Sequence, residues 1–283
     1  MSSYNHILAK SIENGGITLE SHLGSVASFA VLAARHAGMD IEIARQGALL
    51  HDIGKASIVF QRRLKNRPSP LELPFRHEIA SLFFLKLSHP ELWPFMVSMI
   101  IAHHKSIYKD ISTTGIIDLD IEYKEDILQF HLTGFSSWVA DAIGILTNLN
   151  FPCVTHETVI TEDDAREAYF FALDYCKKST KGWSPWKGLL IGADHIASAV
   201  GDFKENVPIL FATPNIDYYN RKGDLYPLSL IDSDKAKKHT FVKAPTGAGK
   251  TDFLIKRCQG RIFYTLPFQA SINAMYERIL HDL

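Results

Sequence analysis

The sequence predicts an all-α helical bundle followed by the opening of a parallel α/β domain. Between residues 18 and 200, apolar residues recur at spacings of three and four, the period of helices that pack on one face. Residues 202–238 contain three prolines and several Asn and Asp residues, which interrupt that period. From residue 239, the order strand, Gly-containing turn, helix, strand and helix is typical of a parallel α/β domain.

Capping residues and apolar runs define the predicted helices of the first region. Thr18 can cap a helix over 19–37, and Asp40 can cap a helix over 41–52. Residues 109–125 mix Gly and Thr with alternating Ile and Asp, which favours a loop or a short hairpin. The other helices are expected at 56–66, 76–88, 92–103, 135–148, 162–178 and 187–200.

The region after residue 238 is predicted to alternate strands and helices. Strands are expected at 239–244 and 261–265, and helices at 251–258 and 268–280. A sheet of this kind cannot be completed in so few residues, so we expect the chain to end inside a second domain. The expected organisation is a helical domain at 1–203, a linker or domain entrance at 204–238 and an incomplete domain at 239–283.

The composition indicates how the protein could bind nucleic acid and in which cellular compartment it is expected. Lys and Arg number 30 against 31 Asp and Glu, so nucleic acid would have to bind through local patches and metal ions rather than a global basic field. The three cysteines, Cys153, Cys176 and Cys258, lie far apart, which argues against a thiolate metal site and a secreted disulfide framework. Neither a signal peptide nor a membrane-spanning run is recognisable. We expect a cytoplasmic protein with no membrane partner.

Ligand-type side chains recur in the apolar helical segments of the first region. His51 and Asp52 stand together at a predicted helix end, followed by Gly54 and Lys55. In such surroundings, an imidazole or a carboxylate without a partner costs on the order of a few kcal/mol of desolvation. Alternatively, each of these ligand-type side chains could be hydrogen-bonded separately within a helical core. The full set of ligand-type residues is His22, His51, Asp52, His77, His103, His104 and Asp194.

The order of these residues resembles the HD phosphohydrolase superfamily, which has a leading His, then His-Asp, further His residues and a late Asp. Gly54-Lys55, His103-His104 and the GAD..AS form around Asp194 narrow the likeness to the nuclease domain of the CRISPR-associated nuclease-helicases of type I systems, the Cas three family. The resemblance implies an HD-domain helical bundle with two metals bridged by Asp52. One would be held by His22, His51, Asp52 and Asp194, and the other by His77, His103 and His104. Lys55 and Ser198 would lie beside the scissile phosphate and act with Asp52 as catalytic residues.

The ligand types predict which ions this site prefers. Five imidazoles and two carboxylates form a nitrogen-rich set that favours Mn, Fe, Co, Ni or Zn over Mg, which prefers oxygen ligands. Two such ions can activate a water nucleophile and stabilise the leaving oxygen of a phosphodiester. Asp194 and Ser198 stand four residues apart on a predicted helix and therefore share a face, whereas His195 is rotated away. The expected cofactors are two divalent transition-metal ions.

A second motif, APTGAGKT at 244–251, follows a predicted strand and precedes a predicted helix. It departs from the strict phosphate-loop pattern because Ala244 stands at the first Gly position. It nevertheless resembles the first motif of superfamily-two helicases, which implies the truncated opening of a RecA-like α/β domain. Lys250 would reach the β and γ phosphates of ATP, and the Thr251 hydroxyl would ligate Mg. The residues expected to bind ATP are Gly247, Ala248, Gly249, Lys250 and Thr251.

Three functions are compatible with these motifs. The first is a metal-dependent DNA nuclease that hydrolyses single-stranded DNA in type I CRISPR antiviral defence. It would be an endonuclease, with exonuclease activity also open, and only a longer chain would complete its ATP-dependent helicase. The second is an HD phosphohydrolase acting on nucleotides or cyclic nucleotides. The third is a noncatalytic docking module for CRISPR partners.

The phosphate loop and the ligand set favour the nuclease among these three. A nucleotide phosphohydrolase does not need the opening of a helicase, and a noncatalytic module does not need seven ligand-type residues. The expected partners are single-stranded DNA and, through the full-length protein, the CRISPR RNA-guided surveillance complex.

Overall fold

The computed structural model describes residues 4–65, 75–101, 124–179, 183–200, 213–223, 225–231, 239–258, 260, 262 and 264–282. The chain divides into two compact units, Met1–Phe203 and Lys204–Leu283. Within the described ranges both units are helical and neither contains a strand, although Leu8 and Thr18 form an isolated antiparallel bridge. No helix in these ranges is long and apolar enough to cross a membrane.

The described part of the first unit is a bundle of α-helices. Its helices are α1 (Leu19–Ala37), α2 (Ile41–Leu50), α3 (Ile58–Lys65), α4 (His77–Leu82), α5 (Trp93–Ile100), α6 (Lys124–His131), α7 (Phe135–Asn148), α8 (Glu162–Lys178) and α9 (Pro185–Val200). A short 3-10 turn, Ile53–Ala56, links α2 to α3. Helix α1 packs against α2 and α9, and α4 packs against the 3-10 turn.

Local capping explains the sharpest helix boundaries. The Thr18 hydroxyl accepts a hydrogen bond from the backbone N–H of Ser21 at the start of α1, and Gly38 ends that helix in the left-handed region with a φ of 67°. At the start of α8, Thr161 and Asp164 form the two reciprocal hydrogen bonds of a capping box. These contacts satisfy N–H groups that have no partner within the helix.

Several of the predicted helices differ in extent from the observed ones. The segment predicted as one helix over 76–88 is α4 followed by a 3-10 turn at Leu85–Leu87. The N–H groups of Phe83 and Phe84 donate to carbonyls three residues back, so the α-helical pattern ends there. The helix predicted at 92–103 is α5, whose described end is Ile100, and residues 102–123 lie outside the described ranges. Helix α2 ends two residues early, at Leu50.

The second unit contains α10 (Lys250–Arg257) and α11 (Gln269–Asp282), together with 3-10 turns at Asp217–Asn220 and Pro227–Leu230 that contact α10. The strand predicted at 239–244 is not formed: these residues have no regular secondary structure, and Phe241 is 93% exposed. A strand needs a neighbouring strand to pair its backbone groups, and the described part of this unit supplies none. Of the predicted strand 261–265, the described residues 262, 264 and 265 are also irregular.

Candidate metal centre

His51 and Asp52 face the same region because α2 ends between them. His51 still has helical backbone angles, with φ −55° and ψ −38°. Asp52 leaves the helix with φ −117° and ψ 5°. Consecutive side chains on a helix differ by about 100° in direction, but the change of backbone at Asp52 removes that separation. The helix end thus places a histidine and a carboxylate side by side in the core.

Three histidines converge on the carboxylate of Asp52. His22 Nε2, from α1, lies 3.0 Å from Asp52 Oδ2, and His51 Nε2 lies 3.2 Å from the same oxygen. His77 Nε2, at the first residue of α4, lies 3.0 Å from the other oxygen, Oδ1. The two oxygens of Asp52 therefore face different histidines.

Asp194 completes the described part of the cluster from α9. Its Oδ1 lies 3.6 Å from His22 Nε2, and its side chain is 20% exposed, so it forms the solvent side of the cluster. The packing of α1 against α9 brings these two side chains together. Ser198 is exposed one turn further along α9, on the face that it shares with Asp194.

The hydrogen bond that orients the His51 ring fits a metal ligand. Its Nδ1 lies 2.7 Å from the carbonyl oxygen of Ala48, which can only accept, so Nδ1 carries the hydrogen. In its neutral form, His51 then presents the lone pair of Nε2 to a carboxylate oxygen. Two such electron-rich atoms are compatible at 3.2 Å when a cation lies between them or beside them. Within the described ranges, ligand atoms of His22, His51 and Asp52 lie within 4.8 Å of one another.

Lys55 supplies the cation that the structure places against this carboxylate. Its Nζ lies 2.6 Å from Asp52 Oδ2, and the lysine side chain is 13% exposed. The Lys55 ammonium also lies over the ring of Phe60, 5.9 Å from its centroid. A positive charge beside this carboxylate is suited to meet a phosphate group.

Gly54 brings α4 against the turn that carries Asp52. A Cβ added at Gly54 would collide with the carbonyl oxygen of His77 and lie 2.5 Å from the backbone N of Ser81. The Gly54 N–H also donates to the Ser81 hydroxyl at 2.9 Å. The distance between His77 and Asp52 thus depends on a close backbone approach that only glycine allows.

The structure brings together six of the predicted site residues: His22, His51, Asp52, Lys55, His77 and Asp194. His103 and His104, predicted as ligands of the second metal, lie outside the described residues. His195, predicted to point away from the centre, is exposed.

Sequence reasoning missed a buried polar group next to His77. Arg76 Nε donates to Glu78 Oε1 at 2.7 Å, and the backbone N–H of Arg76 donates to His131 Nε2 at 2.9 Å. Burial alone would raise the pKa of Glu78, but the charges of His77 and Arg76 outweigh it and lower the pKa to about 2. One sequence signal could have revealed this group. Leu128 and His131 stand three residues apart, the spacing of one helix face, just after the segment 109–125 that was predicted as a loop or short hairpin.

The predicted phosphate loop has the backbone of a turn that leads into a helix. Gly247 and Gly249 have φ values of 81° and 86°, in the left-handed region, and α10 begins at Lys250. Lys250 Nζ donates to the carbonyl oxygens of Ala244 and Pro245, both at 2.8 Å. The ammonium group is therefore held within the loop. Ala248 and Thr251, the other predicted contacts, lie on either side of Gly249-Lys250.

The comparisons with known proteins identify one domain. The HD domain family matches residues 19–127, a range that includes His22, His51, Asp52 and His77 and ends before Asp194. No curated protein matches the chain, and no solved structure does. An HD domain is therefore found at residues 19–127, and together with the His22, His51 and Asp52 group it supports a metal-dependent phosphohydrolase.

Proposed function

We propose that the first unit is a metal-dependent nuclease that hydrolyses single-stranded DNA in type I CRISPR antiviral defence. The observation that carries the proposal is the convergence of His22, His51 and His77 on the two oxygens of Asp52. A carboxylate whose oxygens face separate groups of nitrogen ligands is suited to bridge two ions. In the proposed centre, His22, His51 and Asp194 complete one ion site, and His77, His103 and His104 complete the other.

Nitrogen-rich ligation favours Mn, Fe, Co, Ni or Zn as the resident ions. When bound, such ions supply an activated water and stabilise the leaving oxygen of a phosphodiester. Lys55 and Ser198 are the chain's own groups proposed to contact the phosphate, and Lys55 Nζ lies 2.6 Å from Asp52 Oδ2.

Positive charge near the centre supports a polymeric substrate. Helix α3 follows the turn that holds Lys55, and its last turn carries Arg62, Arg63 and Lys65. Arg62 and Lys65 are exposed. Cations at this spacing can bind successive phosphates of a nucleic-acid strand, whereas a nucleotide offers phosphate only at the centre itself.

We also propose that residues 239–283 are the first part of a RecA-like helicase lobe that binds ATP and Mg, after a linker at 204–238. Left-handed glycines ahead of a helix N-terminus support this proposal, because such a loop directs backbone N–H groups at a phosphate. We propose that this part couples the nuclease to DNA unwinding and to the RNA-guided surveillance complex.

A cleavage assay on circular single-stranded DNA tests the nuclease proposal. Protein stripped with EDTA should be inactive, and Mn²⁺, Co²⁺ or Ni²⁺ should restore endonucleolytic opening of the circle. Asp52→Asn should abolish opening, while Asp163→Asn, which alters an exposed carboxylate on α8, should not. A cyclic dinucleotide and a nucleoside triphosphate are tested in parallel. Their hydrolysis without DNA cleavage would favour the nucleotide phosphohydrolase, and inactivity on every substrate would favour the docking module.

A further inference from the structure

We infer that His131 is a positioning residue that fixes the start of α4 and thereby holds the His77 imidazole against Asp52. The inference rests on the metal-dependent function proposed above, because it concerns the same centre. His131 is the last residue of α6 and is 1% exposed. It contacts α4 through the backbone rather than through the metal ligands themselves.

The hydrogen bonds of His131 select a single neutral tautomer. Its Nδ1 lies 2.7 Å from the carbonyl oxygen of Ile127, so Nδ1 carries the hydrogen and donates it. Its Nε2 lies 2.9 Å from the backbone N of Arg76, so Nε2 accepts. The ring also stacks on Phe75, with centroids 4.8 Å apart. The imidazole is therefore fixed in both position and hydrogen-bonding direction.

The Arg76 N–H needs a partner from outside its own helix. Arg76 is the N-cap residue of α4, and the first N–H groups of a helix have no intrahelical acceptor. The Arg76 side chain cannot supply this acceptor, because a guanidinium group only donates hydrogen bonds, and its Nε donates to Glu78. His131 thus supplies, from 55 residues away, the acceptor that Asp164 supplies to the N–H of Thr161 in the capping box of α8.

His77 follows directly on this anchored residue. Its Nε2 lies 3.0 Å from Asp52 Oδ1, and its Nδ1 lies 3.8 Å from Glu78 Oε2. Glu78 is itself buried and held by Arg76. A shift of the helix start would move the His77 ring relative to both carboxylates. Groups that hydrogen-bond to a ligating histidine typically change metal affinity by about 10- to 100-fold when they are removed, and His131 acts on His77 through the backbone of the preceding residue.

Co²⁺ binding provides a test that does not depend on DNA cleavage. Calorimetric titration and the visible absorption of bound Co²⁺ report affinity, stoichiometry and ligand geometry for the metal alone. His131→Leu removes both hydrogen bonds. We expect this variant to lower the affinity of the weaker of the two Co²⁺ sites by about 10- to 100-fold. His131→Gln places an amide oxygen where Nε2 stood and should restore much of that affinity. Leu173→Ala, a truncation of a buried side chain on α8, controls for a general loss of stability.

A double-mutant cycle separates positioning from a general structural role. If His131 acts through His77, His131→Leu should change Co²⁺ affinity in the wild-type background and have no further effect in His77→Ala. Equal weakening in both backgrounds, or by Leu173→Ala, would overturn the inference, as would unchanged affinity in His131→Leu. A protein that binds Co²⁺ with this coupling but does not cut DNA would contradict the proposed substrate and leave the positioning role standing.

Discussion

The Nζ atom of Lys55 lies 2.6 Å from Oδ2 of Asp52, the same carboxylate oxygen that faces His22 and His51. The ammonium group and a metal ion on that oxygen would repel each other, because both are positive. A charged Lys55 is therefore unsuited to be a ligand of that ion, and in the proposed nuclease it acts on the substrate phosphate instead. Substitutions of Lys55 and of Asp52 should therefore differ in their effects on metal binding.

Lys55→Met should slow DNA cleavage by up to about two to three orders of magnitude, the scale of a lost electrostatic contact to a reacting group. It should not weaken Co²⁺ binding. Asp52→Asn should lose cleavage and Co²⁺ binding together, since it removes the charge of the proposed bridge. Single-turnover rates and calorimetric titrations measure both properties. Weaker Co²⁺ binding in Lys55→Met than in wild type would show that the lysine supports the metal site itself.

Gly54→Ala should destabilise the first unit and displace His77. The new methyl group meets backbone atoms of α4, including the Ser81 N at 2.5 Å, which cannot rotate away as a side chain can. We expect a loss of about 1 to 3 kcal/mol in the free energy of unfolding, with weaker metal binding. Urea denaturation and Co²⁺ titration measure these effects.

Gly188→Ala on α9 is the matched control, because a Cβ there meets no described atom within 4 Å. It should be neutral or stabilising by up to about 1 kcal/mol. Equal stability of the Gly54 and Gly188 variants would contradict the close approach of α4 to the turn.

The stability of the first unit should fall between about pH 6.5 and pH 4 because of His131. Burial lowers the pKa of His131 from 6.5 to about 4, although hydrogen bonding to Ile127 opposes this shift. Across that range the unfolded chain binds a proton that the folded chain excludes, so acid favours unfolding. The loss is about 3 kcal/mol for a shift of this size. Urea denaturation at several pH values should show a shallower fall in His131→Gln, and parallel curves would contradict the assignment.

Lys250→Ala should weaken binding of a fluorescent ATP analogue to the chain by about tenfold or more, the scale of one lost charge-assisted contact. Lys250 is held in the loop by the carbonyls of Ala244 and Pro245, and phosphates would replace those contacts. Lys222→Ala, which removes an exposed lysine of the same unit, should leave the affinity unchanged. Equal weakening by both variants would indicate a diffuse electrostatic effect instead of a phosphate loop.

Helices with local start and stop signals were predictable from the sequence. The bounds of α1, α7 and α8 agree with the prediction, because caps such as Thr18 and Thr161 act through nearby backbone groups. Helix α6 was missed, since its polar first turn extends an irregular segment and only Leu128 and His131 are buried. The break after Leu82 was also missed, because Phe83 and Phe84 continue the apolar run without a Gly or Pro.

The residues of the candidate metal centre were more predictable than the groups that orient them. A histidine or carboxylate in an apolar helix is visible in sequence as an exception to the hydrophobic pattern. The partnership of Arg76 with His131 is not, because it joins a backbone N–H to a side chain 55 residues away. The strand predicted at 239–244 failed for a related reason, since pairing with another strand cannot be read from one segment.

The most direct test of the metal centre is the anomalous scattering of a crystal grown without chelator and soaked in Mn²⁺. The account predicts an anomalous peak within coordination distance of His22, His51 and Asp52, and its loss in Asp52→Asn. A second peak beside His77 would support the two-ion centre. An active nuclease with no anomalous peak at Asp52, or with its Mn²⁺ bound elsewhere on the chain, would contradict the account.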